Sequence, residues 1–282
     1  MLSYRHGFHA GNFADVLKHS LLALAISALK RKDKPFVYID THAGAGKYAF
    51  KSEFSQKTGE YQQGIQKVWD EAQPPAELAA YLAAIRAENT GRRLLRYPGS
   101  PQLVRRLIRN QDRLQLSELH TSDFQALHEL FVADKQVSVS KEDGLEKLAK
   151  KLPPIQKRGL VFIDPSYEIK SEYSRVIETL EQAYRRFATG IFVLWYPVID
   201  RDVTEAMLKR MQLSGIPKQL RIEHCVAPDG AWSGMTGSGM LFINPPWLLL
   251  QQAEMLLPWL NRVLTDGQGT WTIEWWVPEK VG

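Results

Sequence analysis

FVYIDTHAGAGKY, residues 36–48, is the stretch that decides the fold. Four residues of β-forming type, Phe36 to Ile39, end in an acid, Asp40, and run straight into a turn with glycines at 44 and 46. A buried strand followed by a glycine turn marks the corner of a doubly wound sheet at which nucleotides bind, beyond the strands' carboxyl ends. A phosphate-gripping loop ending at Gly46-Lys47 needs glycine at 41 and Ser or Thr at 48, but Thr41 and Tyr48 stand there. A dinucleotide fingerprint needs a third glycine, and the residues after Gly46 are Lys47, Tyr48 and Ala49. The spacing that fits is D-x-x-x-G-x-G, the loop of enzymes that use S-adenosyl-L-methionine, a cofactor with no phosphate to cradle. His42, inside the loop, is a candidate contact for its methionine end.

Outward from this corner, strand and helix patterns alternate. LQLSE (114–118), VSVS (137–140), GLVFID (159–164) and GIFVLW (190–195) read as strands; helical spacing falls around Phe124 to Phe131, Leu145 to Leu152 and Val176 to Phe187. That alternation predicts a parallel sheet covered on both faces. LRIEHCV (220–226) and GMLFIN (239–244) are expected to close it as an antiparallel edge pair. Upstream, Asn12 with Asp15 three residues on has the form of a capping box, and the apolar positions after it run as a helix to Lys30. Between Lys51 and Arg93 the character changes: helical spacing at Tyr61, Ile65, Val68 and Trp69, a break at Pro74-Pro75, and a second set at Leu78, Leu82 and Ile85. The expectation is a single α/β domain over 1–282, a Rossmann-like class I S-adenosylmethionine-dependent methyltransferase, with an inserted helical hairpin at 51–93.

Composition sets limits. With 282 residues, 44% of them hydrophobic, the chain can bury a large core, and its formal net charge of +5 favours encounter with polyanions without establishing it. The single cysteine, Cys225, excludes an internal disulfide and a Cys-rich zinc site, so no metal is expected. The first residues are charged where a secretory signal is apolar, and runs such as LLALAISAL (21–29) are too short to span a bilayer, which together predict a soluble, cytoplasmic protein.

Acids at successive strand ends carry the chemistry. Glu118 ends the second strand, where a carboxylate can accept both hydroxyls of a ribose, and its distance from the glycine loop is explained by the insertion. Asp143-Gly144 follows the third strand, where such enzymes hold the cofactor's adenine. After the fourth comes Asp164-Pro165-Ser166-Tyr167. An exocyclic amine is a poor nucleophile because its lone pair is delocalised into the ring; a site that methylates it must take both amine hydrogens as hydrogen bonds and favour a tetrahedral nitrogen. Asp164 and the Pro165 carbonyl supply such acceptors. Tyr167 is placed to stack on an adenine flipped out of its helix. Ser166 replaces the second proline that this turn usually carries. A rival, Asn244-Pro245-Pro246-Trp247, matches the amino-methyltransferase pattern more literally but follows a seventh strand, so its side chains are expected to point away from the methyl donor.

With these motifs the opening MLSYRHGFHAGNFADVLKH (1–19) and YPGSP (97–101) complete a pattern that resembles the bacterial 23S ribosomal RNA adenine-N6 methyltransferase J family nearly end to end. The resemblance implies 23S ribosomal RNA as substrate, adenine 2030 as the target, and a monomer. It also implies that His19, His42, Ser100, Glu118, Asp143, Gly144 and Asp164 line the cofactor, with Asp164 also catalytic, and that Tyr4 meets the RNA. Read without it, His19 and Lys18 are as easily solvated, and Ser100 before Pro101 is a helix cap. Arg92, Arg93, Arg96, Arg105, Arg106 and Arg109 form basic clusters around the insertion, of the kind that contacts phosphates or simply covers a solvated face. Two other functions stay open: a DNA adenine-N6 methyltransferase, since the turn does not sense a 2′-hydroxyl, and a non-catalytic RNA-binding module.

Overall fold

The predicted corner forms β1 (Val37–Asp40), buried along its whole length in the interior of an eight-stranded sheet. The computed structural model describes residues 6–50 and 59–279. To one side of β1 lie β4 (Arg113–Glu118) and then β5 (Val137–Lys141). To the other lie β6 (Gly159–Ile163), β7 (Ile191–Val198), β9 (Gly237–Ile243), β8 (Gln219–Cys225) and β10 (Thr270–Val277). Six of the eight strands run parallel, and β9 and β10 oppose them. Because the chain steps outward from β1 to β5 and then returns across β1 to β6, the loops after β1 and β6 diverge and open a crevice at their carboxyl ends.

The late strands depart from expectation. GMLFIN does not lie at the edge: β9 is threaded between β7 and β8, and the edge is β10, whose sequence TWTIEWWV alternates polar and apolar residues from Thr270 to Trp275. Glycines let β9 in. A Cβ at Gly239 would stand 2.2 Å from the Tyr196 ring on β7, so only glycine leaves that ring its place.

Helix α1 (Phe13–Lys30) begins where predicted, with Asn12 Oδ1 accepting from the Asp15 N–H at 3.0 Å; the reciprocal bond goes one residue further back, from the Gly11 N–H to Asp15 Oδ2 at 2.9 Å. Fourteen of its eighteen residues are buried, because the helix is wrapped on several sides rather than laid on a surface. Over the same face pack α4 (Ser100–Leu107) and α9 (Leu249–Thr265), while α5 (Thr121–Phe131) lies along β4 and β5. On the other face, α6 (Gly144–Leu148), α7 (Ser171–Arg186) and α8 (Arg201–Leu213) pack in series. Within 51–93, residues 51–58 lie outside the described residues. The rest contains α2 (Ile65–Asp70) and α3 (Ala79–Arg86), carried on the small ribbon of β2 (Lys47–Ala49) and β3 (Arg96–Pro98). These helices bury Ile65, Val68, Tyr81, Leu82 and Ile85 against α1 and α9. Glu60 adds a tether, accepting from His9 Nδ1 at 2.9 Å and from Asn12 Nδ2 at 3.0 Å.

Candidate active site

Four loops at the carboxyl ends of β1, β4, β5 and β6, together with one face of α1, enclose a cavity of about 260 Å³. Backbone contacts draw the loops together. The Ala43 N–H donates to the Ser117 carbonyl at 3.0 Å, and the Gly44 N–H to Glu118 Oε2 at 2.7 Å. Gly44 has φ +60, and a Cβ there would stand 2.5 Å from the Tyr48 hydroxyl, so the turn requires glycine on both counts. Gly144 is constrained more tightly still, since its Cβ would lie 2.1 Å from the Thr41 carbonyl oxygen. The loop after β5 thereby packs directly on the loop after β1.

Burial shapes the titrating groups. Asp40, the acid of the D-x-x-x-G-x-G motif, does not reach the cavity. It is fully buried and accepts from the Tyr38 hydroxyl and Ser100 Oγ, both at 2.7 Å, and from the His42 N–H at 3.1 Å; loss of water pushes its carboxyl up to about 6 despite these donors. Asp40 is therefore a brace for the glycine loop. Ser100, whose hydroxyl it holds, lines the cavity from the first turn of α4; Gly99, and not Ser100, occupies the N-cap. His42 lines the cavity too, with Nδ1 2.8 Å from Thr41 Oγ1. Desolvation lowers it to about 4, outweighing the carboxylates of Asp164 and Asp143, so the ring is neutral at pH 7.

Glu118 is raised above the usual carboxylate range by burial, with the His120 and Gly44 N–H groups opposing. Those two N–H groups each hold one oxygen, at 2.7 Å, and aim the carboxylate into the cavity. Asp143 caps α6, accepting from Leu145 and Glu146 N–H through Oδ1, while Oδ2 meets Arg175 at 2.6 Å. Burial works to raise Asp143, but the Arg175 hydrogen bond and the cap N–H groups win and hold it below the usual range.

Asp164, at the end of β6, lines the same cavity, and its Oδ2 meets the Lys18 ammonium at 2.7 Å. Lys18 also pairs with Asp15 at 2.9 Å and lies 5.0 Å from the Trp195 ring centroid. An ammonium only 3% exposed is tolerable because two carboxylates compensate it. The sequence offered Lys18 no role beyond a solvated helix position; its partner is 146 residues away, and no local pattern reveals such a pair. His19, beside it, bonds the Tyr97 hydroxyl at 2.8 Å, which is in turn 3.0 Å from that of Tyr81.

Pro165 and Ser166 line the cavity, whereas Tyr167 turns away from it. A left-handed backbone, φ +55, directs its side chain inward, where the hydroxyl donates to the Trp195 carbonyl at 2.8 Å and the ring packs on Tyr173. Tyr4 lies outside the described residues. Asn244 is at the opposite end of the sheet, as its antiparallel strand requires. The second arginine cluster is structural: Arg105 pairs with Asp134, Arg106 with Glu88 and Arg109 with Asp112. Arg92, Arg93 and Arg96 are exposed.

A glycine loop, a carboxylate at each of two successive strand ends and a cleft at the switch point suit a cofactor with an amino-acid end, a ribose diol and an adenine. The sheet order is that of a class I methyltransferase, and the protein is an S-adenosyl-L-methionine-dependent enzyme of that class. Comparison with known proteins gives the family. Residues 33–277 match the family described as "Ribosomal RNA large subunit methyltransferase D, RlmJ", and the chain belongs to it. It is 50% identical over 280 residues to Ribosomal RNA large subunit methyltransferase J of Escherichia coli (strain K12), covering 99% of this chain and 100% of that protein. The protein of the same name from Haemophilus influenzae is 48% identical over 281 residues, covering 99% and 100%. A crystal structure of a protein from Legionella pneumophila superposes with a TM-score of 0.89 at 40% identity, over 94% of this chain and 98% of the other.

Proposed function

We propose that the chain, as a cytoplasmic monomer, methylates the N6 amine of a flipped adenine in 23S ribosomal RNA, the adenine numbered 2030 in the family. The observation that carries this reading is the state of Asp164. Lys18 fixes one of its oxygens, while the other, Oδ1, has no hydrogen-bond partner among the described residues and belongs to a side chain that lines the cavity. A carboxylate oriented and half free is what an amine needs as an acceptor.

Bound S-adenosyl-L-methionine supplies an electrophilic methyl group. Glu118 holds the ribose, Asp143 and Gly144 the adenine, and His19, His42 and Ser100 the methionine side. Asp164 and the Pro165 carbonyl accept the two amine hydrogens, drawing the lone pair out of the ring. Asp164 then takes the proton from the methylated, cationic nitrogen, a transfer that does not need a strong base. Tyr4 contacts the RNA. Stacking of the adenine on Tyr167 requires that side chain to release the Trp195 carbonyl. Among the described residues no helix is long and apolar enough to cross a membrane, which accords with action on a soluble particle.

Incubation with labelled S-adenosyl-L-methionine and unmodified 23S ribosomal RNA, followed by nuclease digestion and mass spectrometry, tests the proposal. N6-methyladenine in the RNA, lost with Asp164→Ala, is expected. Label on matched DNA and none on RNA would keep the chemistry and discard the substrate; label on neither would leave an RNA-binding module.

A further inference from the structure

We propose that the end of the sheet opposite the active site is a second RNA-binding surface, where a basic cavity holds phosphates and Trp247 stacks on an unpaired base. The proposal rests on RNA being the substrate.

At that end, α1 finishes at Lys30, β6 and β7 begin, and the turn after β9 emerges. Together they form a cavity of about 950 Å³ lined by Arg31, Lys32, Lys34, Lys157 and Arg158, with Trp247 at its side and no Asp or Glu in its wall. Five cations match the formal excess of the whole chain, +5. The acid of the same turn, Asp33, is 96% exposed and is engaged elsewhere, by Arg109 at 3.6 Å and Gln111 at 3.1 Å. Arg158 forms the floor, anchored on the Lys34 carbonyl at 2.8 Å and on that of Leu29. Arg31, Lys32, Lys34 and Lys157 are exposed and have no acidic partner among the described residues. A concave row of unpaired cations is the footprint of a phosphate backbone.

Trp247 supplies the second half. It is 92% exposed, yet the turn presenting it is rigid: Asn244 has φ +54, its amide donates to the Ala188 and Gly190 carbonyls at 2.8 Å each, and two prolines follow. A base that stacks on this indole meets a backbone already in place, and stacking tolerates any sequence. The motif that the active site leaves unused thus has a function where it stands. Five residue steps along the strand separate Gly159 in this cavity from Asp164 in the other, about 17 Å. An RNA that touches both must extend well beyond the target nucleotide.

The test measures binding of the full chain to a long unmodified 23S fragment and to a short hairpin around the target adenine, across a salt series. Combined Lys32→Glu, Lys34→Glu and Lys157→Glu substitution is expected to weaken the long fragment's binding at least tenfold and to make the dependence of log affinity on log salt shallower by about two. Trp247→Ala is expected to weaken it roughly tenfold with the slope unchanged. Both variants should melt as the wild type does and methylate the short hairpin at its rate. Unchanged binding of the long fragment by both variants overturns the proposal. So does loss of binding to phosphatidylglycerol vesicles with RNA affinity intact, which would assign the surface to lipid. Should the wild type methylate no RNA, the substrate reading fails, and the binding comparison still decides the surface.

Discussion

After β6 the chain turns through Asp164-Pro165-Ser166-Tyr167, and after β9 through Asn244-Pro245-Pro246-Trp247. Each turn follows a fully buried strand, and each uses one left-handed non-glycine residue, Tyr167 at φ +55 and Asn244 at φ +54. The surroundings are opposite. The first opens on a cavity lined by Glu118, Asp143 and Asp164, with its aromatic ring buried; the second borders five cations, with its ring in solvent. Turns of similar pattern reach different surroundings because β9 runs antiparallel and delivers its turn to the far end of the sheet. Strand direction, more than the literal quality of the motif, decides which turn borders the cavity at the carboxyl ends of the parallel strands.

The contrast breaks first at Asp164. Asp164→Asn keeps the shape and one acceptor but not the proton sink, and single-turnover methyl transfer is expected to fall about a thousandfold, within the usual range for a general acid or base. If Asn244→Ala did this and Asp164→Asn did not, the two turns would have to exchange roles. Next comes Glu118→Gln, which leaves one oxygen where two accept. Loss of a charged hydrogen bond predicts a KM for the cofactor raised roughly tenfold to a hundredfold, with kcat within a few-fold.

At the other end Asn244→Ala is expected to leave transfer within about twofold. It removes the donors to the Ala188 and Gly190 carbonyls and places alanine at a positive φ, so a melting temperature lower by roughly 2–6 °C is expected by calorimetry. The smallest effect concerns pH. Asp40 titrates near 6 in the folded chain, above its unfolded value, so its stabilising contribution is complete below the usual carboxylate range and is lost as pH rises to about 6. Wild type should therefore lose melting temperature relative to Asp40→Asn between pH 4 and 6; a constant difference would mean that burial does not govern this acid.

The elements legible in the sequence were those with a strong local signal. Strands β1, β6 and β7 are apolar runs bounded by turns, and α1 has both a cap and a long apolar register. Illegible features had non-local causes. β10 has a local strand signal in the alternation from Thr270 to Trp275, but its place at the edge comes from pairing with β8, which no local pattern encodes. The lateral place of β9 depends on Gly239 clearing Tyr196 of another strand. Arg105 and Arg109 look like solvated cations until Asp134 and Asp112 are brought beside them. Within the cavity, the glycine loop and the strand-end acids could be read from spacing, whereas Lys18 and the bracing role of Asp40 could not.

The burial of α1 bears on the timing of synthesis. Lys18 and His19 emerge from the ribosome among the first residues, yet β9 and α9, two of the elements that enclose their helix, are among the last. Asp164 itself appears midway, before α9 packs on the helix that carries its ammonium partner. A nascent chain that stops short of residue 248 holds every residue that lines the cavity and lacks α9, which packs on α1. The wall of the cavity is thus encoded within the first 175 residues, whereas part of the backing of α1 is encoded only by α9, so the cavity and its support are made at different times.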